Sequence, residues 1–287
     1  MQYKRILTIQ DISCVGQCSM TVALPILSAC GHETCVLPSA VLSTHTGGFS
    51  GFTFRDLTED MPLIQAHWQK EGIQFDGIYT GYLGSIQQVG YVKNILDTMG
   101  KERAVKIVDP AFADNGKLYC IFDQTYVEAM KTLCPSADIL LPNVTEACYL
   151  TGMGYKEHYD EAYIQQLLDE LCKLGASTVV LTGVSYAPEK TGVVVYQKGE
   201  MLYYEHKRIA KGCHGTGDVY ASAFVGALLR GKTLFDSAKI AADYTVLCIE
   251  NTQGDPSHWY GVKFETALPT LMGMLSEQEY CTARTKK

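Results

Sequence analysis

The sequence predicts an α/β protein in three α/β/α layers, with helices covering both faces of a mostly parallel central sheet. Three observations predict it. Short strand-like runs alternate with helical stretches along the whole chain, the pattern of strands joined by crossover helices. The strand runs, such as Val179-Val180-Leu181, are apolar without a break, as burial on two faces requires. Polar residues gather where those runs end: Asp11, Ser13, Thr46, Tyr82, Asp109, Asn143, Glu146 and Thr182. Open α/β sheets bind ligands outside the carboxyl ends of their strands, so this convergence predicts a site there. No linker, repeat or biased segment divides the chain, which predicts a single domain over residues 1–287.

Taken in order, residues 4–10 alternate into an apolar strand, and 11–16 read as a polar turn at its end. Residues 19–30 form an apolar helix stopped by Gly31. Residues 34–37 make the next strand, ended by Pro38, because proline gives no donor to a ladder. A loop of hydroxyls and glycines follows at 43–48. Helix 62–71, strand 77–79 with exit loop 80–85, helix 86–99 and strand 104–108 come next, the last ended by Asp109-Pro110. Helix 124–133 leads to strand 137–141, ended by Pro142-Asn143. Helix 161–174 leads to strand 178–181, ended by Thr182-Gly183. Residues 193–196 and 201–204 pair as a hairpin about Lys198-Gly199. Helices near 219–230, 235–250 and 264–275 complete the chain.

Composition narrows the function classes. The 287 residues are 47% hydrophobic and 19% charged, enough apolar material for a substantial core. Net charge is −7 and the one basic cluster is the tail Arg284-Thr-Lys-Lys287, which weighs against nucleic acid or an anionic membrane as partner. No apolar run reaches the length of a membrane span. The first residues enter a strand directly, without a small-residue cleavage site, so no signal peptide is predicted. The eleven cysteines are odd in number and scattered, with no C-x-x-C; Cys14, Cys18, Cys30 and Cys35 beside His32 come nearest to a ligand cluster. That spacing favours free thiols in a reducing cytoplasm over zinc or disulfides.

The stretch Lys211-Gly-Cys-His-Gly215-Thr-Gly-Asp218 carries the chemistry. It runs into an apolar helix that ends at Arg230, with Gly231 as C-cap. Helix N-termini present unpaired N–H groups and partial positive charge. Gly215, Thr216 and Gly217 let backbone N–H groups close on an anion. Asp218 places a proton acceptor beside it, the combination that phosphoryl transfer to a hydroxyl requires. The plainer alternative is a glycine turn with Asp218 as N-cap.

Each remaining constellation has two readings. In Asn143-Val-Thr-Glu146, Asn143 can touch a phosphate and Glu146 a Mg²⁺ water, or Glu146 simply matches the helix dipole. Asp109 is either a turn-forming acid or the partner of Glu146 in holding Mg²⁺ on ATP phosphates, both at a solvent-accessible sheet edge. Thr46, Gly47 and Tyr82 are either loop and packing residues or a hydroxyl and an aromatic face for a flat ring. His45 and His214 are alternative bases, but Asp218 is better placed, and His214 is expected to turn away from the anion hole. Cys213 precedes the glycines instead of sitting on the helix, which argues against a nucleophile.

Gly215-Thr-Gly-Asp218, Asn143-x-x-Glu146 and Asp109-Pro110 together resemble the ribokinase-like superfamily. Within it the chain resembles the pyridoxal (pyridoxine, pyridoxamine) kinases. The supporting segments are Ile9-Gln10, Thr44-His45-Thr46-Gly47, Thr80-Gly81-Tyr82-Leu83-Gly84-Ser85, Asp114-Asn-Gly-Lys-Leu-Tyr119 and Pro142-Asn143. The resemblance covers most of the chain. It implies a ribokinase-like fold and ATP-dependent phosphorylation of the 5′-hydroxymethyl group of a B6 vitamer. It implies Asp218 as base and Gly215, Thr216 and Gly217 as anion hole. Thr46 and Tyr82, with Asp11, Ser13 and Gly47, then face the pyridine ring. Asp109, Asn143, Glu146 and Thr182 then serve ATP, with Asp109 and Glu146 on Mg²⁺. A homodimer follows from the resemblance alone, and a monovalent cation is a further candidate cofactor. The chain departs from the pattern at Asp11, where these kinases carry Ser directly after Ile-Gln, and in Asp109-Pro-Ala-Phe-Ala113, which lacks Val-Met-Gly. The rival enzyme is hydroxymethylpyrimidine (phosphate) kinase, which carries Cys in place of Asp218. The rival of another class is a nucleotide-binding regulatory protein without turnover, which has no need of the base.

Overall fold

The computed structural model describes residues 3–209 and 213–276, so Lys211 and Gly212 of the glycine stretch and the 284–287 tail lie outside them. The first half comprises β1 (Arg5–Ser13), α1 (Met20–Ala29), β2 (Glu33–Leu42), β3 (Phe54–Asp56), α2 (Asp60–Lys70), β4 (Phe75–Thr80), α3 (Ile86–Thr98), β5 (Gly100–Val108), β6 (Ala113–Asp114) and β7 (Lys117–Leu118). The second comprises α4 (Gln124–Lys131), β8 (Ile139–Leu140), α5 (Val144–Thr151), α6 (Glu161–Lys173), β9 (Thr178–Val184), β10 (Lys190–Gln197), β11 (Glu200–Lys207), α7 (Thr216–Leu229), α8 (Leu234–Thr252) and α9 (Leu268–Ser276).

One nine-stranded sheet runs in the order β11-β10-β9-β8-β5-β4-β1-β2-β3. From β2 across to β9 every pairing is parallel, and antiparallel strands flank both sides. Alternation along the parallel strands divides the core. Leu7, Ile78, Val108, Leu140 and Val179 face one layer, built with α3, α4, α5 and α6. Ile6, Tyr79, Ile107, Ile139 and Val180 face the other, built with α1, α7, α8 and α9. Side-chain caps start several helices: Ser85 accepts from Gln88, Asp123 from Tyr126, Asp160 from Tyr163 and Thr233 from Asp236. The Lys198-Gly199 turn has both residues at positive φ, 54° and 81°, as a two-residue hairpin demands.

The structure corrects several expected boundaries. β1 continues through Asp11 to Ser13 instead of turning at Asp11. β2 does not stop at Pro38 but runs on to Leu42. Gln10 pairs with Pro38 and Ile12 with Val41, so the register shifts where proline interrupts the donors. Strand β8 is shorter than the predicted 137–141, covering Ile139–Leu140, and a 3-10 turn at Cys134–Ser136 precedes it. The edge strand β3 and the small β6–β7 hairpin were not predicted. At the end of α7, Arg230 is the cap residue and Gly231 follows it at φ 104°.

Candidate active site

The predicted polar residues do lie at one edge of the sheet, at or beyond the carboxyl ends of β1, β2, β4, β5 and β8 and near the end of β9. The first turns of α1, α5 and α7 meet them there.

Gly215 is the N-cap of α7, at φ 75°, and an added Cβ would lie 1.6 Å from the carbonyl oxygen of Gln17. Only glycine fits, by conformation and by space. Asp218 therefore is not the cap, as the plainer sequence reading had it; it is the third residue of the first turn. Thr216 turns its hydroxyl to Cys213 O at 3.4 Å, and Gly217 faces open space. The Asp218 carboxyl is desolvated, which raises its pKa to about 7, against the pull of the Ser19 backbone N–H and with the push of the Asp11 charge.

Ser19 is the residue that sequence reasoning missed. It is the N-cap of α1, 6% exposed, at φ 52° and ψ −128°. That backbone conformation is costly for any side chain. Its N–H serves Asp218 and its hydroxyl serves Asp11. No local sequence signal marks it, because Ser in that conformation looks like any helix-capping Ser.

Asp11 is buried, which raises its pKa, while bonds from Ser19 and Ser13 oppose the rise. The Ser13 hydroxyl donates to Asp11 Oδ2 at 2.8 Å. Nearby, Gly47 N–H donates to His45 Nδ1 at 3.0 Å, and His45 Nε2 lies 2.6 Å from Tyr260 O. That pair of bonds assigns the neutral Nε2–H tautomer. The His214 ring sits 5.2 Å from His45. Thr46 is exposed beside them. Tyr82 is half-buried and raised in pKa by burial and then by the charge of Asp11, which puts it on the same side as Asp11.

Asp109 and Glu146 are not solvent-accessible, contrary to expectation: they are 8% and 2% exposed. Burial raises both; Asp109 is also raised by the charges of Glu146 and Asp218. Three predicted acids thus share one desolvated region. Glu146 is held by N–H groups: Oε1 accepts from Phe112 at 3.0 Å and Oε2 from Asn143 at 2.9 Å. Asn143 Oδ1 accepts from Glu146 N–H at 2.9 Å, completing a capping box, and its Nδ2 donates to Ala113 O at 2.8 Å. Thr182 bridges to Asn143 across the sheet, and its N–H donates to Pro142 O at 2.9 Å.

A cavity of about 370 Å³ opens beside Asn143, lined also by Asp114, Thr145, Gly183, Ser185 and Arg208. Asp109, Glu146 and Thr182 do not line it. Asn115, on one wall, and Gly116 turn the β6–β7 hairpin with both residues at positive φ, 51° and 76°, an Asn-Gly signal that the sequence reading did not use.

The mostly parallel sheet, flanked by helices on both faces, is a ribokinase-like α/β fold. The profile of the phosphomethylpyrimidine kinase family matches residues 26–261, and the chain belongs to that family. It is 27% identical to the hydroxymethylpyrimidine/phosphomethylpyrimidine kinase of Bacillus subtilis, over 75% of this chain and 78% of that protein. It is 26% identical to the pyridoxal kinase of Dictyostelium discoideum, over 80% of each. A candidate phosphomethylpyrimidine kinase of Bacteroides thetaiotaomicron, crystallised with pyridoxal, superposes with TM-score 0.89 at 36% identity, covering 94% of this chain and 96% of that one. The Lactobacillus plantarum pyridoxal kinase superposes with TM-score 0.87 at 31% identity, covering 94% and 97%. The pyridoxal kinase branch of the superfamily, expected from the motifs, is thus among its near relatives. Among the described residues no helix is long and apolar enough to cross a membrane.

Proposed function

We propose that the protein transfers the γ-phosphoryl group of MgATP to the 5′-hydroxymethyl group of a B6 vitamer. The observation that carries this reading is Asp218, a carboxylate raised to about 7 at a glycine-capped helix start. A base with a pKa near the working pH is suited to take a hydroxyl proton. The pyrimidine rival carries Cys at that position, and the relative crystallised with pyridoxal supports a pyridine substrate.

In this reading the N–H groups of the first turn of α7 hold the transferred phosphoryl group. The nucleotide enters the cavity beside Asn143, where Arg208 is the cationic wall. Asp109 and Glu146 fit a divalent cation, because two desolvated carboxylates repel each other until a cation neutralises them. The oxygens of Glu146 are already engaged by N–H groups, so it would reach Mg²⁺ through water, as the sequence suggests. Mg²⁺ supplies charge neutralisation on the phosphates. The vitamer ring lies between the Asp11 and Tyr82 side and the Thr46-Gly47 loop. A homodimer belongs to this reading on the strength of the resemblance, and a cytoplasmic location on the scattered cysteines.

The test is ATP consumption by the purified protein against pyridoxal, pyridoxine, pyridoxamine and hydroxymethylpyrimidine. Turnover with at least one vitamer is expected. Phosphorylation of the pyrimidine alone, the activity named for the Bacillus subtilis relative, overturns it. Binding of ATP without turnover of any of the four favours the regulatory reading.

A further inference from the structure

Residues 81–85 carry Tyr82 from β4 to α3 and form no helix or strand of their own. Four consecutive residues of this loop are nonetheless held through their backbone, each by a different element. Gly81 N–H donates to Ile9 O of β1 at 3.1 Å. Tyr82 O accepts from the Ser39 hydroxyl of β2 at 3.4 Å. Leu83 O accepts from the Tyr126 hydroxyl of α4 at 2.7 Å. Gly84 N–H donates to Oε1 of Gln88, in the first turn of α3, at 2.7 Å. Tyr82 is half-buried, its ring centroid 5.7 Å from that of Phe122, so the path of the loop backbone decides where the ring sits.

Gln88 holds more than Gly84. It is 1% exposed, and both ends of its amide are engaged. Nε2 donates to Ser39 O at 3.0 Å and to Thr58 Oγ1 at 2.8 Å, with Asp56 Oδ1 3.4 Å away. These partners fix the orientation of the amide, because Ser39 O can only accept and Gly84 N–H can only donate. Gln88 thus reaches the loop twice, directly at Gly84 and through Ser39, whose hydroxyl bonds Tyr82 O. Its other anchor is Thr58, in the turn after β3, where the Thr58 N–H is itself bonded to Asp56 Oδ1 at 2.7 Å. A buried amide is costly unless its groups are paired, and a fully paired one favours a single arrangement of the segments it joins. An apolar side chain of the same length fills the space but does not set the course of the loop.

We propose that Gln88 is a positioning residue for Tyr82, fixing the 81–85 loop against β2 and the turn after β3, and so sets the affinity for the vitamer ring without touching it. The effect on affinity rests on the reading that Tyr82 faces the ring; the hold on the loop does not. None of residues 81–88 lines the cavity assigned to the nucleotide, so the two substrates should respond differently. Gln88→Met keeps the length of the side chain and leaves Gly84 N–H and Ser39 O without their partner. Amide exchange at Gly84 should quicken by about ten-fold or more, as for a buried donor that loses its acceptor. The Kd of pyridoxal and the KM of the vitamer should rise by about ten-fold, with KM for ATP unchanged. Ser39→Ala removes only the hydroxyl on Tyr82 O. It should raise the vitamer KM by about three-fold, the worth of one weak hydrogen bond, again with KM for ATP unchanged.

Equal rises in both KM values mark Gln88 as a general structural residue and overturn the proposal. So does a vitamer affinity left at the wild-type value in Gln88→Met, or an unchanged exchange rate at Gly84. Should Gln88→Met fail to fold, Ser39→Ala decides alone, and an unchanged vitamer KM in it overturns the proposal. A wild-type protein that neither binds pyridoxal nor phosphorylates a vitamer overturns the proposed function, while Gly84 exchange in Gln88→Met still decides whether Gln88 holds the loop.

Discussion

The backbone N–H of Ser19 is directed at the carboxylate of Asp218, joining the start of α1 to the first turn of α7. Among the described residues, it is the favourable bond set against the desolvation of that acid. The same residue turns its hydroxyl to Asp11. Ser19 thus sits between the acid at the anion hole and the acid on the proposed ring side.

Asp218→Asn keeps the shape and removes the base. A fall in kcat of about 10²–10⁴ is expected, with ATP affinity retained, because the cavity beside Asn143 does not include Asp218. Stability should move the other way. The folded pKa of about 7 lies above the ordinary 3.8, so the native state holds its proton more tightly than the unfolded one. The contribution of that proton is fully present below the unfolded value and is lost as pH rises through about 7. Denaturant midpoints should show the Asn variant more stable than wild type at alkaline pH, with the gap closing toward the ordinary carboxylate range.

The pH–rate profile should report the same group. The logarithm of kcat/KM is expected to rise with unit slope below about 7 and to level off above it. A profile flat across that region removes Asp218 as the base, whatever the effect of its substitution.

Ser19→Gly relieves the backbone at φ 52° while keeping the N–H. Strain of this type costs about 1–3 kcal/mol, so chemical denaturation should show a more stable protein. Loss of the hydroxyl to Asp11 should weaken vitamer binding more than ATP binding. A variant with unchanged stability would mean that Ser19 is unstrained, and equal effects on both substrates would separate it from the ring side.

The two acids of the metal pair should behave differently from each other. Glu146→Gln sets an amide NH₂ against backbone N–H donors that now find a carboxylate, and a loss of about 1–3 kcal/mol is expected. Asp109→Asn removes a charge held near Glu146 and Asp218 and should leave stability unchanged or raised. Both should raise the Mg²⁺ concentration needed for half-maximal turnover; an unchanged Mg²⁺ dependence in both takes them out of the site.

Much of the architecture was legible because the signals were local. The apolar runs at 104–108 and 178–181, the glycine turn at 198–199 and the acid after Gly215-Thr-Gly217 all appear where periodicity and turn chemistry place them. What was not legible depends on contacts far apart in sequence. Pro38 looked like a strand end, but β2 continues because its neighbours β1 and β3 pair with it beyond the proline. Asp109 and Glu146 looked exposed, as acids at strand ends usually are. Glu146 is covered by Phe112 and Ala113, whose N–H groups fold back onto its carboxylate, and Asp109 is buried beside it, which no spacing reveals. Ser19 was hidden because the two acids it serves, Asp218 and Asp11, take their bonds from it only once the chain is folded.

The loop between β5 and β7 is bonded repeatedly to one helix. Phe112 N–H reaches Glu146, Ala113 O takes Asn143 Nδ2, Gly116 N–H donates to Thr145 Oγ1 at 3.0 Å, and the Tyr149 hydroxyl reaches Gly116 O at 3.4 Å. To swing outward, this segment would have to break all four links at once. That side of the cavity therefore behaves as masonry, not as a door: its amide groups stand in the same places before a ligand arrives as after. A phosphate docking there meets a surface whose ordering entropy was already spent when the chain folded.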